Sequence, residues 1–139
     1  MNPILHLRIA GAVMLLLVGV NLYVPRFLGW QEELRRVSLV NRQIFQVHAT
    51  FIVILLGLLA ALLLACAPAL AEPTALARAV LLGLTVFWGL RLSFQLLVYD
   101  PRIWRGKRFE TAMHALFTAT WGYLAAVFGG ALLANLART

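Results

Sequence analysis

The chain has little charge, a single cysteine and no acidic cluster, and each scarcity excludes something. Charged residues make up 12% of its 139 positions, against roughly a quarter in a soluble domain. The lone thiol, Cys66, rules out an internal disulfide framework. No pair of aspartates stands ready for metal–pyrophosphate chemistry, and no small-x-small cleavage site precedes the polar stretch at Pro25. The first apolar run is therefore read as a span and not as a cleavable signal. Leu63-Leu64-Ala65-Cys66 has the outline of a lipoprotein box, but it follows a full-length apolar run and is taken as a helix end.

What fills the chain instead is apolar. Hydrophobic residues account for 63% of it. A soluble fold of this size has too little interior to hide that much apolar surface, so lipid is the expected solvent. Crossing a hydrocarbon core about 30 Å thick takes roughly 20 apolar residues in a helix. Four segments meet that length, approximately 4–24, 43–67, 74–99 and 109–136. Pro25 is expected to end the first and Pro68 to close the second, with a tight turn to Pro73, which suits the first turn of the third. The runs show no two-residue alternation, which argues for helices and against barrel strands. The expected fold is all-α: a single transmembrane domain over 1–139, an integral membrane four-helix bundle in up-down order.

The connections carry the charge. Twelve Lys+Arg against five Asp+Glu give a formal net charge of +7. Eight of those cations sit in or beside two loops: Arg26, Arg35, Arg36 and Arg42, then Arg102, Arg105, Lys107 and Arg108. Only Arg8, Arg78 and Arg138 belong to the other side. By the positive-inside rule, loops 25–42 and 100–108 are expected in the cytoplasm and both termini outside. Richness in Ala, Leu and Arg is that of a GC-rich bacterial genome, so the expected location is the bacterial inner (cytoplasmic) membrane. Trp30, Leu34, Val37 and Leu28 alternate with charges at helical spacing in the first loop, which predicts a short helix in the membrane interface. Trp104 is expected to anchor the second loop at headgroup level. The cations form no stripe on a polar surface, so no nucleic-acid partner is expected.

The polar residues inside the spans cluster at one depth. His48 and His114 each lie about five residues into spans that start from the basic-loop side, roughly 8 Å from their ends. Arg91 and Gln95 descend to the same side in the third span, and Asn21, Asn41, Tyr99, Glu110 and Thr118 complete the set. Glu110, His114, Thr118 and Trp121 recur on one helical face, as do Trp88, Arg91, Gln95 and Tyr99, and Phe45, His48, Ile52 and Leu55. The other half of each span is nearly free of polar groups, which argues against a continuous aqueous path. An arginine so far into a span must turn inward or snorkel, and an inward Arg91 paired with Glu110 is expected. Gly19, Gly57, Gly83 and Gly89, and the pair Gly129-Gly130, are expected at close helix contacts.

Three functions suit this distribution. The first is an accessory or assembly subunit, with the polar residues joining helices, in contact with a membrane-protein partner or a second copy. The second is a redox subunit in which His48 and His114 ligate a b-type haem, with Arg91, Gln95, Glu110, Trp88 and Tyr99 around it. The third is a protein that binds lipid phosphates or isoprenoid phosphates, held by Arg91, Arg42 and Arg108, with His48 or His114 as acid or base. Two histidines and Glu110 fall short of a zinc or copper site, since Cys66 lies at the opposite side. The topology has a direct check. Arg105→Cys in a Cys66→Ser background should resist an impermeant maleimide in intact cells and react once the cells are opened. Labelling in intact cells would invert the assignment.

Overall fold

The structure, a computed structural model, describes residues 2–27 and 29–138. Among the described residues it is all-helical. Helix α1 spans Pro3–Phe27, α2 Trp30–Arg35, α3 Leu39–Ala71, α4 Ala75–Leu97 and α5 Arg108–Leu136, with one 3-10 turn at Pro101–Ile103. Helices α1, α3, α4 and α5 are each long and apolar enough to cross a membrane, as a multi-pass membrane protein requires. No backbone polar group can be left open in hydrocarbon, and the helix meets that demand within each segment.

Two boundaries differ from expectation for the same reason. Pro25 lies inside α1 and Pro68 inside α3. A proline costs its own N–H bond and crowds the carbonyl four residues back. Near a helix end only one bond is at stake, and side chains can serve the carbonyls there. At the end of α1, Arg26 Nη1 donates to the Leu22 carbonyl at 3.3 Å and Asn21 Nδ2 to the Leu17 carbonyl at 2.8 Å, although the carbonyl that Pro25 frees is that of Asn21. The turn after α3 is correspondingly shorter than expected. Pro73 precedes the helix, and Thr74 is the N-cap of α4, its hydroxyl accepting from the Ala77 N–H at 3.1 Å.

The chain divides into two compact units. One is residues Arg8–Ala67. Its α2 is the short helix expected in the first loop, entered through Gly29 at φ 64°, a left-handed conformation that glycine adopts without strain. Trp30 packs edge-on against Phe45, with ring centroids 5.5 Å apart. Leu28 lies outside the described residues. Helices α1 and α3 approach closely at Gly11, where an added Cβ would stand 3.0 Å from Leu64 Cγ, 3.1 Å from Leu63 Cβ and 3.2 Å from the Ala60 carbonyl oxygen. The glycines expected at close contacts, Gly19, Gly57, Gly83 and Gly89, have open space at the Cβ position. Glycine content alone does not locate a contact; Gly11 is needed because Leu63, Leu64 and the Ala60 carbonyl crowd its Cβ position.

The other unit comprises the N-terminal segment to Leu7 and the chain from Pro68 onward. Its centre is the α4–α5 pair. Ala77, Leu81, Leu84, Trp88 and Gln95 are the buried residues of α4, at steps of three, four and seven. Trp121, Leu124, Val127, Phe128, Ala131 and Asn135 are those of α5. Such steps make one stripe per helix, and the stripes face each other. Gly129 meets Thr85 at this seam, its Cβ position 3.5 Å from Thr85 Cγ2. Lipid gives no hydrophobic drive for helix pairing, so close packing has to supply it.

Gly11→Ala is therefore expected to destabilise the detergent-solubilised protein by about 1–3 kcal/mol, the usual cost of overpacking. Gly57→Ala should leave thermal stability unchanged. Equal melting temperatures for the two variants would remove the close α1–α3 contact.

Candidate functional site

Arg91 and Gln95 of α4 and His114 and Trp121 of α5 form a polar network inside the second unit, with Trp88 beside it. On α4, Trp88, Arg91 and Gln95 share a face by helical spacing; on α5, His114 and Trp121 do the same. Gln95 is the hub and is only 7% exposed. Its Oε1 accepts from Arg91 Nη1 at 3.2 Å and from Trp121 Nε1 at 3.4 Å. Its Nε2 lies 2.9 Å from His114 Nδ1. A buried amide has to find partners, because an unmet donor or acceptor costs about 1–3 kcal/mol. Lipid supplies none, so the neighbouring helix must.

Aromatic rings enclose the network. Trp88 stacks on Trp121 at 5.1 Å between centroids, and Phe117 stacks on Trp121 at 5.7 Å. The Arg91 guanidinium carbon lies 4.8 Å from the Trp121 ring centroid and 5.9 Å from that of Tyr99, within cation–π range. Trp104, from the loop, lies flat on the His114 imidazole at 3.9 Å with 10° between the planes.

That loop is built to deliver Trp104. Asp100 Oδ1 accepts from the Arg102 N–H at 2.8 Å and caps the turn at Pro101–Ile103. Gly106, at φ 82°, reverses the chain. The Thr111 hydroxyl is 2.8 Å from both the Trp104 and Lys107 carbonyls, which ties the loop to the first turn of α5. The sequence pattern reads Trp104 as a headgroup anchor; its indole also covers His114.

The other expected residues divide clearly. Arg91 bonds to Gln95, and among the described residues no ion pair joins it to Glu110. Glu110 stands in the first turn of α5, where the helix dipole favours a negative charge. Tyr99 is 44% exposed and flanks Arg91. The Thr118 hydroxyl donates to the His114 carbonyl at 2.8 Å, satisfying itself within its own helix. His48 is exposed, and its Nδ1–H donates to the Ile44 carbonyl at 2.8 Å. The residues that share its face, Phe45, Ile52 and Leu55, are exposed as well. The buried stripe of α3 runs instead through Leu56, Ala60, Leu63 and Ala67.

The tautomers bear on ligation. A carbonyl accepts from His48 Nδ1, so its Nε2 keeps a lone pair. His114 is the reverse. Two N–H donors fix Oε1 of Gln95, so its amide N–H points at His114 Nδ1, and the proton of the imidazole sits on Nε2. A protonated ring nitrogen is not a metal ligand, and one face of this ring is covered by Trp104. With Gln95 donating to Nδ1, His114 does not present at Nε2 the lone pair that a haem iron would need.

One polar cluster escaped the sequence pattern altogether. At the far end of α4 and α5, Asn135 is 1% exposed. Its Nδ2 donates to the Leu70 carbonyl at 3.2 Å, Arg78 Nη2 donates to the Asn135 carbonyl at 3.4 Å, and Arg138 Nη1 to the Ala71 carbonyl at 3.4 Å. The last turns of α3 and α5 leave carbonyls open and carry the negative end of the dipole, which two cations and an amide supply here. This explains why Arg78 and Arg138 stand on the side otherwise poor in charge. Only the helix register, which aligns Asn135 with the end of α3, reveals it.

Comparison with protein-family models, curated proteins and solved structures returned no match.

Gln95→Leu, which keeps the bulk and removes the amide, should cost about 1–3 kcal/mol of stability by stranding the Trp121 and His114 nitrogens. Thr118→Val should change it by less than about 0.5 kcal/mol. Thermal melts of both variants test the contrast, and a silent Gln95→Leu would mean the amide is not a hub.

Proposed function

We propose that this chain binds a phosphate monoester carried on a lipid or isoprenoid tail, at a site around Arg91 and His114 in the leaflet that faces its basic loops. The observation that carries this reading is the sign of what the network leaves over. Once Gln95 has engaged Arg91, Trp121 and His114, the remaining polar positions are donors: the free N–H groups of Arg91 and the Nε2–H of His114. Trp88 Nε1, one turn further along the same face of α4, is a buried donor without a partner among the described residues. A set of donors around a guanidinium calls for an anion rich in acceptors, and phosphate is the common one.

The surroundings suit the tail. Arg91, Phe94, Val98 and Tyr99 line an open groove of about 350 Å³, mostly apolar apart from the guanidinium and the tyrosine hydroxyl. An acyl or prenyl chain along α4 would lie there with its headgroup at Arg91. The basic loop 100–108 raises the local concentration of anionic lipid. In this reading the basic loops are cytoplasmic, the membrane is the bacterial inner membrane, and the role is binding, with no bond-making step assigned.

Native mass spectrometry from mixed phosphatidic acid and phosphatidylcholine micelles tests it. The wild-type chain should retain phosphatidic acid in preference to phosphatidylcholine. Arg91→Ala should reduce that retention by about tenfold or more, the scale of one charge-assisted contact. Arg91→Lys should keep part of it. Inorganic phosphate that displaces the lipid would show that the headgroup alone is recognised. Equal retention by wild type and a folded Arg91→Ala would sink the reading and return the accessory subunit, whose mark is a co-purifying membrane partner.

A further inference from the structure

We infer that Gln95 is a positioning residue that holds the His114 proton on Nε2 and so makes the imidazole a hydrogen-bond donor toward the ligand. The inference deepens the phosphate-lipid reading and rests on it for the ligand alone; the tautomer itself follows from the network.

An amide has one end that accepts and one that donates. Arg91 Nη1 and Trp121 Nε1 can only donate, and both lie on the same amide atom, at 3.2 and 3.4 Å. That atom must be the oxygen. With the amide reversed, an NH2 group would face two N–H groups, and three donors would meet with no acceptor among them. The other end, 2.9 Å from His114 Nδ1, is then the NH2. Nδ1 accepts, and the ring carries its proton at Nε2. Burial of Gln95 and Trp121 keeps water from offering an alternative acceptor.

The rest of the site prevents the ring from turning over. Trp104 covers one face of the imidazole in a nearly parallel stack, and a half-turn about the Cβ–Cγ bond would break both that stack and the Gln95 contact. A single neutral residue thereby sets the polarity of both Arg91, which lines the groove, and His114 beside it. It orients the guanidinium through Oε1 and fixes the imidazole as a donor through Nε2. A site so arranged favours acceptors such as phosphate oxygens. It disfavours metal ions, which need the Nε2 lone pair.

Histidine ring-nitrogen NMR on the full chain in lipid nanodiscs provides the test. In a His6→Gln, His48→Gln background, His114 is the only histidine. Its expected signature is a protonated Nε2 and an unprotonated, hydrogen-bonded Nδ1. Gln95→Glu offers carboxylate oxygens to both sides and should move the proton to Nδ1. The same variant should retain phosphatidic acid about tenfold less well than the wild type, and Gln95→Met should lose a similar factor. A protonated Nδ1 in the chain with Gln95 intact overturns the assignment, and that measurement needs no variant at position 95 to fold. A tautomer that does not move in a folded Gln95→Glu also overturns it. If Nε2 is protonated as expected and no preference for phosphatidic acid is seen, the assignment of Gln95 stands and the phosphate-lipid reading falls. A lipid preference with the proton on Nδ1 has the opposite meaning.

Discussion

Hydrocarbon offers a polar group neither donor nor acceptor, and nearly every feature of this protein answers that constraint. The backbone answers it by becoming helix through four long apolar segments. The hydroxyls answer it locally: Thr50, Thr85, Ser93, Thr118 and Thr120 each donate to the carbonyl four residues earlier. These residues are polar in composition and closed in structure. Gln95 and Asn135 have two-ended amides, and each reaches another element of its unit: Gln95 with both ends, Asn135 through Nδ2 alone. The two amides mark two of the places where this unit is joined by something more directional than packing; the contact of His6 Nδ1 with the Tyr123 hydroxyl at 3.4 Å is another.

The two clusters have different characters. Around Asn135, cations and an amide end on backbone carbonyls at helix termini, and the arrangement is that of a clasp. Around Gln95, the amide gathers side chains that still have unused donors, beside an apolar groove. The first cluster also leaves polar atoms over, but of both kinds, the Arg78 Nε donor and the Asn135 Oδ1 acceptor, whereas the one around Gln95 leaves donors. This difference separates the region with a proposed ligand from the region that holds helix ends together.

The comparison of His48 and His114 shows how depth and spacing can mislead. Both histidines stand about five residues into their spans, and matched depth invites the idea of a shared ligand. Their first partners differ, however. His48 donates from Nδ1 to its own helix and is exposed, while His114 accepts at Nδ1 from Gln95 and lies under Trp104. Symmetry of position in the sequence did not extend to symmetry of chemistry. In the same way Arg91 was correctly expected to find a polar partner, but the neutral Gln95 one turn away took the place expected for Glu110.

Hydropathy and periodicity were enough to read an all-helical chain and to locate its four apolar segments, and they named His48, His114, Trp88, Arg91, Gln95, Tyr99 and Glu110 as candidates without saying which of them meet. Hydropathy and helical periodicity are local quantities, and a window of some twenty residues contains all they need. Only the tertiary structure decided which of those residues meet. It selected Gln95 as the hub, turned Trp104 onto His114, gave the close helix contact to Gly11, and brought Asn135 to the end of α3. Each of these depends on the rotation and axial register of one helix against its neighbour. A one-residue change turns a helical face by about 100°, and no count of apolar residues along a single segment contains that angle.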